Sequence, residues 1–373
     1  MGKVIFWCKC CIFIALLLFI SPNLEAQTPR IDSLQAALQQ VKGKEKAETL
    51  LLLCDEMSTY DLQKSLELAK QAKNLADSLK IPALLSTSYQ QIGLIYIKRK
   101  AYQQADTALK QAQYWTHKTG DPEQETYMHI ARAELYYGML EYDSASMILK
   151  QAEQLALNQN LKKALPDIYN NMAKSLQNQG YLQEAISLYL KAAGFYQQAN
   201  SLESLATVFN NIGTVHRTLK NYPEATKYLL QAIDLHTKAD KPDKLILDYN
   251  NLGAIYMEAL EYEKSRAFFN KAIDLIRKQG TPYQLARTYM NLANLLKRQD
   301  EYKQAEKYYD STLLICREHE INYGIMITNA NRMLGVMMTM ASSQPISLVV
   351  SFSRSVEISI IALRSLISID LRN

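Results

Sequence analysis

Glycine and proline are scarce in this 373-residue chain, at 12 and 9 residues. So few breakers exclude collagen-like and low-complexity architectures and predict long elements joined by short turns. Cysteine is scarcer still. Of five, Cys8, Cys10 and Cys11 crowd the N-terminus, leaving Cys54 and Cys316. No CxxC or Cys/His cluster exists, which argues against a disulfide framework, a redox pair and a zinc site. Neither charge sign dominates: 42 basic against 37 acidic residues give a net +5, too balanced to demand nucleic acid. There is no phosphate loop and no GxSxG elbow, and His319-Glu320 is not followed by the second histidine of a zinc-protease helix. His129 and His216 stand where other repeats carry Tyr or Leu, which makes them packing residues. The expectation is a non-enzymatic protein with no cofactor and no metal.

What is present begins with a leader. Lys3 and Lys9 precede an apolar run, Cys11 to Ile20, which Pro22, Asn23 and Glu25 interrupt. Ten apolar residues fall short of the roughly 20 that a membrane helix needs. The layout is that of a signal peptide over 1–26, cleaved after Ala26. An exported bacterial protein is expected, periplasmic or secreted, with no stable membrane span in the mature chain. Residues 27–45 read as a leader segment before the fold.

The decisive signal is a period of 40. Tyr89, His129, Tyr169, Phe209, Tyr249 and Tyr289 each open a similar octet, as in YNNMAKSL from Tyr169, FNNIGTVH from Phe209 and YNNLGAIY from Tyr249. A small residue follows four places on: Gly93, Ala133, Ala173, Gly213, Gly253 and Ala293. Twelve further lie Ala105, Ala145, Ala185, Ala225, Ser265 and Ala305, then Ala112, Ala152, Ala192, Ala232, Ala272 and Thr312. Tyr102, Tyr142, Tyr222, Tyr262 and Tyr302 stand three before the second small column, with Leu182 in the remaining copy. The spacing Tyr249, Leu252, Gly253, Tyr256 is one apolar stripe of a helix. A second stripe runs Tyr262, Ser265, Phe269, Ala272. Each unit therefore reads as two helices whose small residues let the backbones approach. Pro82, Pro122, Pro242 and Pro282 keep the period and suit a first helical turn. Asp121 and Thr281 before two of them suit N-caps.

This pattern resembles the tetratricopeptide repeat family, in the longer 40-residue form with doubled asparagine found in kinesin light chains and in bacterial peptide-sensing regulators. The resemblance covers residues 46–340. It implies an all-α fold, a right-handed superhelical solenoid of antiparallel helix hairpins with a concave inner face. Seven repeats are expected, at about 46–80, 82–120, 122–160, 162–200, 202–240, 242–280 and 282–320, with a half repeat over 321–340. It implies a protein or peptide partner, and the charge balance points to no nucleic acid. Two readings follow: a scaffold holding an extended peptide or partner helix in its groove, and the ligand-sensing input portion of a histidine kinase or transcription regulator.

On a wheel of about 100° per residue, Asn170, Asn210 and Asn250 fall on the side of the first helix that lines the groove in tetratricopeptide proteins. Amides there can pair with a peptide main chain. The next column, Asn171, Asn211, Asn251, Asn291 and Asn331, is assigned to the seam between neighbouring first helices, with groove contact as the alternative. Lys174, Arg217, Lys297 and Arg298 lie nearby and favour an acidic or C-terminal carboxylate ligand. The family's clamp for chaperone tails pairs Lys and Asn one turn apart. Here Asn210 meets Thr214 and Asn250 meets Ala254, so that clamp is absent. Residues 341–373 change character, with nine Ser and no Lys, Tyr or Gly, and form a divergent Ser/Ile-rich tail. A capping helix, a poorly ordered tail and an altered C-terminus all fit it.

Overall fold

Fifteen helices follow one another in the computed structural model, which describes residues 29–332 except Tyr60, Glu320, Asn322 and Tyr323. The leader, the end of the half repeat and the tail lie outside the described residues. A short helix α1 (Pro29–Leu38) precedes seven hairpins. These are α2 (Gly43–Met57) with α3 (Leu62–Ser78), α4 (Pro82–Lys98) with α5 (Tyr102–Thr119), and α6 (Pro122–Gly138) with α7 (Tyr142–Asn158). Next come α8 (Leu165–Gln179) with α9 (Leu182–Gln198), α10 (Leu202–Thr218) with α11 (Tyr222–Lys238), α12 (Pro242–Glu258) with α13 (Tyr262–Gln279), and α14 (Pro282–Arg298) with α15 (Tyr302–Glu318). Residues 324–332 are helical again, and no strand occurs among the described residues. The fold is an all-α, right-handed solenoid.

The second helices start at residues 62, 102, 142, 182, 222, 262 and 302 without drift. One first helix departs from the stride. Residues 162–164 form a turn and α8 starts at Leu165. Its repeat has Lys162 where others place proline, and its own Pro166 sets the first turn later. Elsewhere the local chemistry acts as the sequence suggests. Asp121 accepts from the Glu123 amide, and Thr281 with Gln284 forms a reciprocal capping box, satisfying amides that have no partner inside the helix.

The joints share one device. Lys80, Lys100, Leu140, Asn160, Asn200, Lys220, Asp240, Leu260 and Asp300 have φ between 51° and 65°. Gly120 and Gly180 hold the same place at 64° and 90°. Except at Gly120, where the following Asp121 amide bonds Thr119 Oγ1, the left-handed residue turns the chain so that the next amide reaches back into the last helical turn. Ile81 bonds Ala76 O at 3.1 Å, and Glu261 bonds Tyr256 O at 2.8 Å. Orphan carbonyls are thereby capped, and a joint falls every 20 residues. Gly280 is the exception, extended at φ −94° and ψ 176°.

Packing explains the small columns. A methyl on Gly253 would lie 2.6 Å from Phe269 Cε1, and one on Gly93 2.5 Å from Leu109 Cδ2. The facing second helix thus fills the space with a fully buried side chain, such as Leu149, Tyr189, Leu229 or Phe269. Aromatic pairs close the last four hairpins: Tyr169 on Phe195 at 6.1 Å, Phe209 on Tyr228 at 5.7 Å, Tyr249 on Phe268 at 6.1 Å and Tyr289 on Tyr308 at 5.5 Å between centroids. Cys54 and Cys316 are buried free thiols.

First helices of successive hairpins touch one another, α4 to α6, α6 to α8, α10 to α12 and α12 to α14. The first helices therefore form the inner, concave wall. The curl is tight enough that Lys98 of α4 feels the charge of Lys244 in α12, and Lys241 feels that of Glu56 in α2.

Candidate functional site

The concave wall carries one stripe per first helix. Its positions are spaced i, i+4, i+7 and i+11: Asp167, Asn171, Lys174 and Asn178 on α8, and Arg287, Asn291, Asn294 and Arg298 on α14. Glu134 of α6 shares a column with Lys174, and Lys98 of α4 shares one with Asn178 and Arg298.

Burial governs the charges on this wall. It pushes the Glu134 carboxyl up, although Lys174 and Lys98 pull it back. It raises the Asp167 carboxyl as well, against a hydrogen bond donated by Tyr196 Oη and the pull of Lys174. The same loss of water lowers the ammonium of Lys98, the guanidinium of Arg287 and the ammonium of Lys297. Lys98 Nζ donates to Ser58 Oγ at 2.6 Å, and Lys174 Nζ to Asn171 Oδ1 at 3.4 Å. Among the described residues neither Glu134 nor Lys174 has a salt-bridge partner within 4.0 Å. Ionisable groups desolvated in a concavity are what a binding site collects.

The asparagines lie elsewhere than the wheel suggested. Asn210 and Asn250 are buried, with 5% and 2% exposure, and Asn170 is half-buried. Their side-chain carbonyls accept from the second column of the next repeat. Asn211 Nδ2 bonds Asn170 Oδ1 at 3.2 Å, Asn251 bonds Asn210 at 3.1 Å and Asn291 bonds Asn250 at 3.0 Å. The first column also reaches forward: Asn210 Nδ2 donates to Asp248 Oδ1 at 2.5 Å, and Asn250 Nδ2 to Thr288 Oγ1 at 2.9 Å. The placement of Asn170, Asn210 and Asn250 toward a ligand is thus corrected: these three are seam residues. The second column bonds across the seam, as assigned to it, and its half-buried members Asn171, Asn211 and Asn291 also border the groove stripe, whereas Asn251 is buried. Arg287 Nη2 reaches Asn251 Oδ1 at 3.4 Å. Asn171 donates to Asp167 O at 3.0 Å. Asn331 is half-buried in the helical residues 324–332.

Two buried groups at this seam were missed. His236 Nδ1 lies 2.6 Å from Asp248 Oδ2, at 2% and 0% exposure. The pair joins α11 to α12, and through Asn210 and Asn251 it connects to Arg287 at the groove. The available signal was columnar. Asp248 stands in a column otherwise filled by Ser88, Met128, Ile168, Val208 and Thr288.

The basic candidates divide. Lys174 lies on the mid-groove wall and Lys297 is half-buried at the end of α14. Arg217 and Arg298 converge with Thr218, Lys220, Tyr222 and Glu258 on a cleft of about 440 Å³ where the last turns of α10, α12 and α14 stack. Among the described residues no group of three or more His, Cys, Asp or Glu is placed to hold a metal, and no helix is long and apolar enough to cross a membrane.

Stacked hairpins with a charged concave wall define a helical-repeat scaffold for protein interaction. Models of the tetratricopeptide repeat match residues 165–238, 245–318 and 86–117, and those stretches are tetratricopeptide repeats. No curated protein matches it. Among solved structures it is similar to a Rap protein complexed with competence and sporulation factor, at 15% identity and TM-score 0.54, covering 84% of this chain and 92% of that one. It is similar to NprR in complex with its cognate peptide NprX, at 15% identity and TM-score 0.54, covering 88% and 99%. A signal-transduction ATPase with a tetratricopeptide repeat sensor, from Pyrococcus horikoshii, matches at 14% identity and TM-score 0.55, over 86% of this chain and 52% of that one. At these identities the likeness is one of fold.

Proposed function

We propose that this protein is an exported, non-enzymatic scaffold that holds an extended peptide or partner helix in its concave groove. One observation carries the reading: Glu134, Asp167 and Arg287 are drawn out of water on a shared wall beside Lys174, and among the described residues neither Glu134 nor Lys174 has an ion-pair partner. A main chain lying there would meet the amides of Asn171, Asn211 and Asn291 and the charges beside them. Support also comes from the Rap and NprR folds, whose solved complexes contain a factor and a peptide. Export rests on the layout of residues 1–26.

The test is selection from a displayed random-peptide library, with the full chain as bait. Lys174→Glu and Arg287→Ala should each abolish recovery of the selected peptides while the cooperative melting transition is kept, and for Lys174→Glu the melting temperature should stay within about 3 °C. Recovery that survives both substitutions would sink the groove reading. A second reading, the ligand-sensing input portion of a signalling protein, is favoured by the tight curl. Groups as distant in sequence as Lys98 and Lys244 share one electrostatic environment, so a guest touching both walls would alter the superhelical pitch. Small-angle scattering with and without a selected peptide separates the two: a fixed pitch leaves only the scaffold.

A further inference from the structure

We infer that the cleft at the turn edge of α10, α12 and α14, where the concave wall ends, is a binding site for a small multivalent oxyanion, distinct in its ligand from the mid-groove peptide stripe. The walls are Arg217, Thr218, Lys220, Tyr222, Glu258 and Arg298, around about 440 Å³. Three cations face one carboxylate, an excess of two positive charges in a concavity.

The repeat geometry shows why these cations remain available. Asn210 pairs with Asn251, 41 residues on. Two turns further along the same two helices, the same step pairs Arg217 with Glu258, Nε to Oε1 at 3.3 Å. The next rung pairs Asn250 with Asn291. Two turns along from it, the step from Arg298 leads back to Met257, which offers no charge. Arg298 is therefore left over by the ladder, and among the described residues neither it nor Lys220 forms an ion pair. Lys220 occupies the left-handed joint after α10, at φ 58°, so its side chain starts from a fixed backbone.

The cations also break the period. The Arg217 column reads Ile97, Tyr137, Gln177, Arg217, Met257, Lys297, and the Arg298 column reads Lys98, Gly138, Asn178, Thr218, Glu258, Arg298. Cations at helix C-termini are favoured by the helix dipole, but the dipole does not gather three of them from different columns on one cleft. Two guanidinium forks and an ammonium match the planar, multi-acceptor geometry of carboxylate or phosphoryl groups. Glu258 holds the Arg217 fork at 3.3 Å, so an incoming anion exchanges with it and bridges three successive repeats.

Isothermal titration of the full chain with inorganic phosphate and with citrate, at constant ionic strength set by chloride, tests this. Saturable binding of at least one anion is expected. Arg298→Ala should weaken it by about tenfold, the usual consequence of losing one charge-assisted contact. Glu258→Gln should tighten it several-fold by releasing Arg217, a gain that a merely structural salt bridge would not give. Binding of phosphate alone marks a phosphoryl ligand, and of citrate alone a polycarboxylate. Heats no different from chloride, or binding undiminished by both Arg298→Ala and Lys220→Ala, would overturn the inference. Peptide recovery in the groove is read separately, so either reading can fail alone.

Discussion

Two seams of this solenoid share a backbone and differ in chemistry. Between α6 and α8 the buried contacts are apolar: Met128, Ile130, Ala131 and Ile168 are all at or below 7% exposure. Between α10, α12 and α14 the equivalent space holds Asn210, Asp248, Asn250, Asn251 and Thr288, linked by directional hydrogen bonds. An apolar seam is held by area and tolerates small slips. A buried polar ladder is stable only when every member is satisfied, and it fixes register as a result. The family fold does not require either solution; the hairpins stack at the same stride in both.

Removing the acceptor at the centre of the polar seam breaks this comparison most directly. Asp248→Ala leaves the Asn210 amide and the His236 ring without their partner. Stability should fall by roughly 3 kcal/mol, at 1–3 kcal/mol for each orphaned group. Urea denaturation reads the loss. Asn210→Ile with His236→Ile and Asp248→Val, residue types that other repeats use in these columns, should recover at least half of it, as apolar replacement of buried polar groups often does. A cost under 1 kcal/mol for Asp248→Ala would show that the ladder is incidental.

Gly253→Ala probes the packing that both seams share. The added methyl meets the fully buried Phe269 ring, and a loss of about 2 kcal/mol is expected despite the better helix propensity of alanine. Ala133, in the same column of the apolar half, already carries that methyl opposite Leu149. Ala133→Gly should therefore cost only about 1 kcal/mol.

Glu134→Gln sharpens the comparison on the groove side, through pH. Burial raises the Glu134 pKa, so the native state holds its proton more tightly than the unfolded chain. Stability is then fully present below the unfolded value near 4 and declines as pH rises through the raised native value. The glutamine variant lacks that decline. It should match the parent in acid and exceed it at neutral pH, by less than about 1 kcal/mol because Lys98 and Lys174 lose a partner. Melting temperatures from pH 3 to 7 decide it; a variant less stable at pH 7 would show that attraction outweighs desolvation.

The smallest effect concerns the joints. Leu260 is 66% exposed with φ 65°, a conformation that costs a non-glycine residue about 1 kcal/mol. Leu260→Gly should raise the melting temperature by one or two degrees, partly offset by the greater freedom of the unfolded chain. A lower melting temperature would show that the leucine contacts matter more.

The hairpins were legible because each demands the same thing in every copy: a methyl-sized gap at Gly93 or Ala173, a ring at Tyr102 or Tyr262. Column counting reads such demands directly. The groove was not legible in the same way. A helical wheel separates Asn250 from Asn251 by 100°, but which flank is concave depends on how one hairpin leans on the next, and no single repeat encodes that. Asp248 and His236 stand in columns of mixed apolar and hydroxyl residues that carry no charge elsewhere, and only the stacking of α12 on α11 makes them a pair. Arg217 and Arg298, picked as basic neighbours of the groove, share a cleft because the last turns of α10, α12 and α14 stack, which appears only when neighbouring repeats are placed side by side.

The left-handed residue at every twentieth position has a consequence for how such an array changes over generations. Since each junction is self-contained, duplication or loss of a block of forty codons would splice one standard coupling onto another, and the remaining hairpins would not need to adapt. Gly280, extended where the other joints with a printed φ are coiled, marks a coupling of another gauge, so the spans on its two sides would exchange less freely.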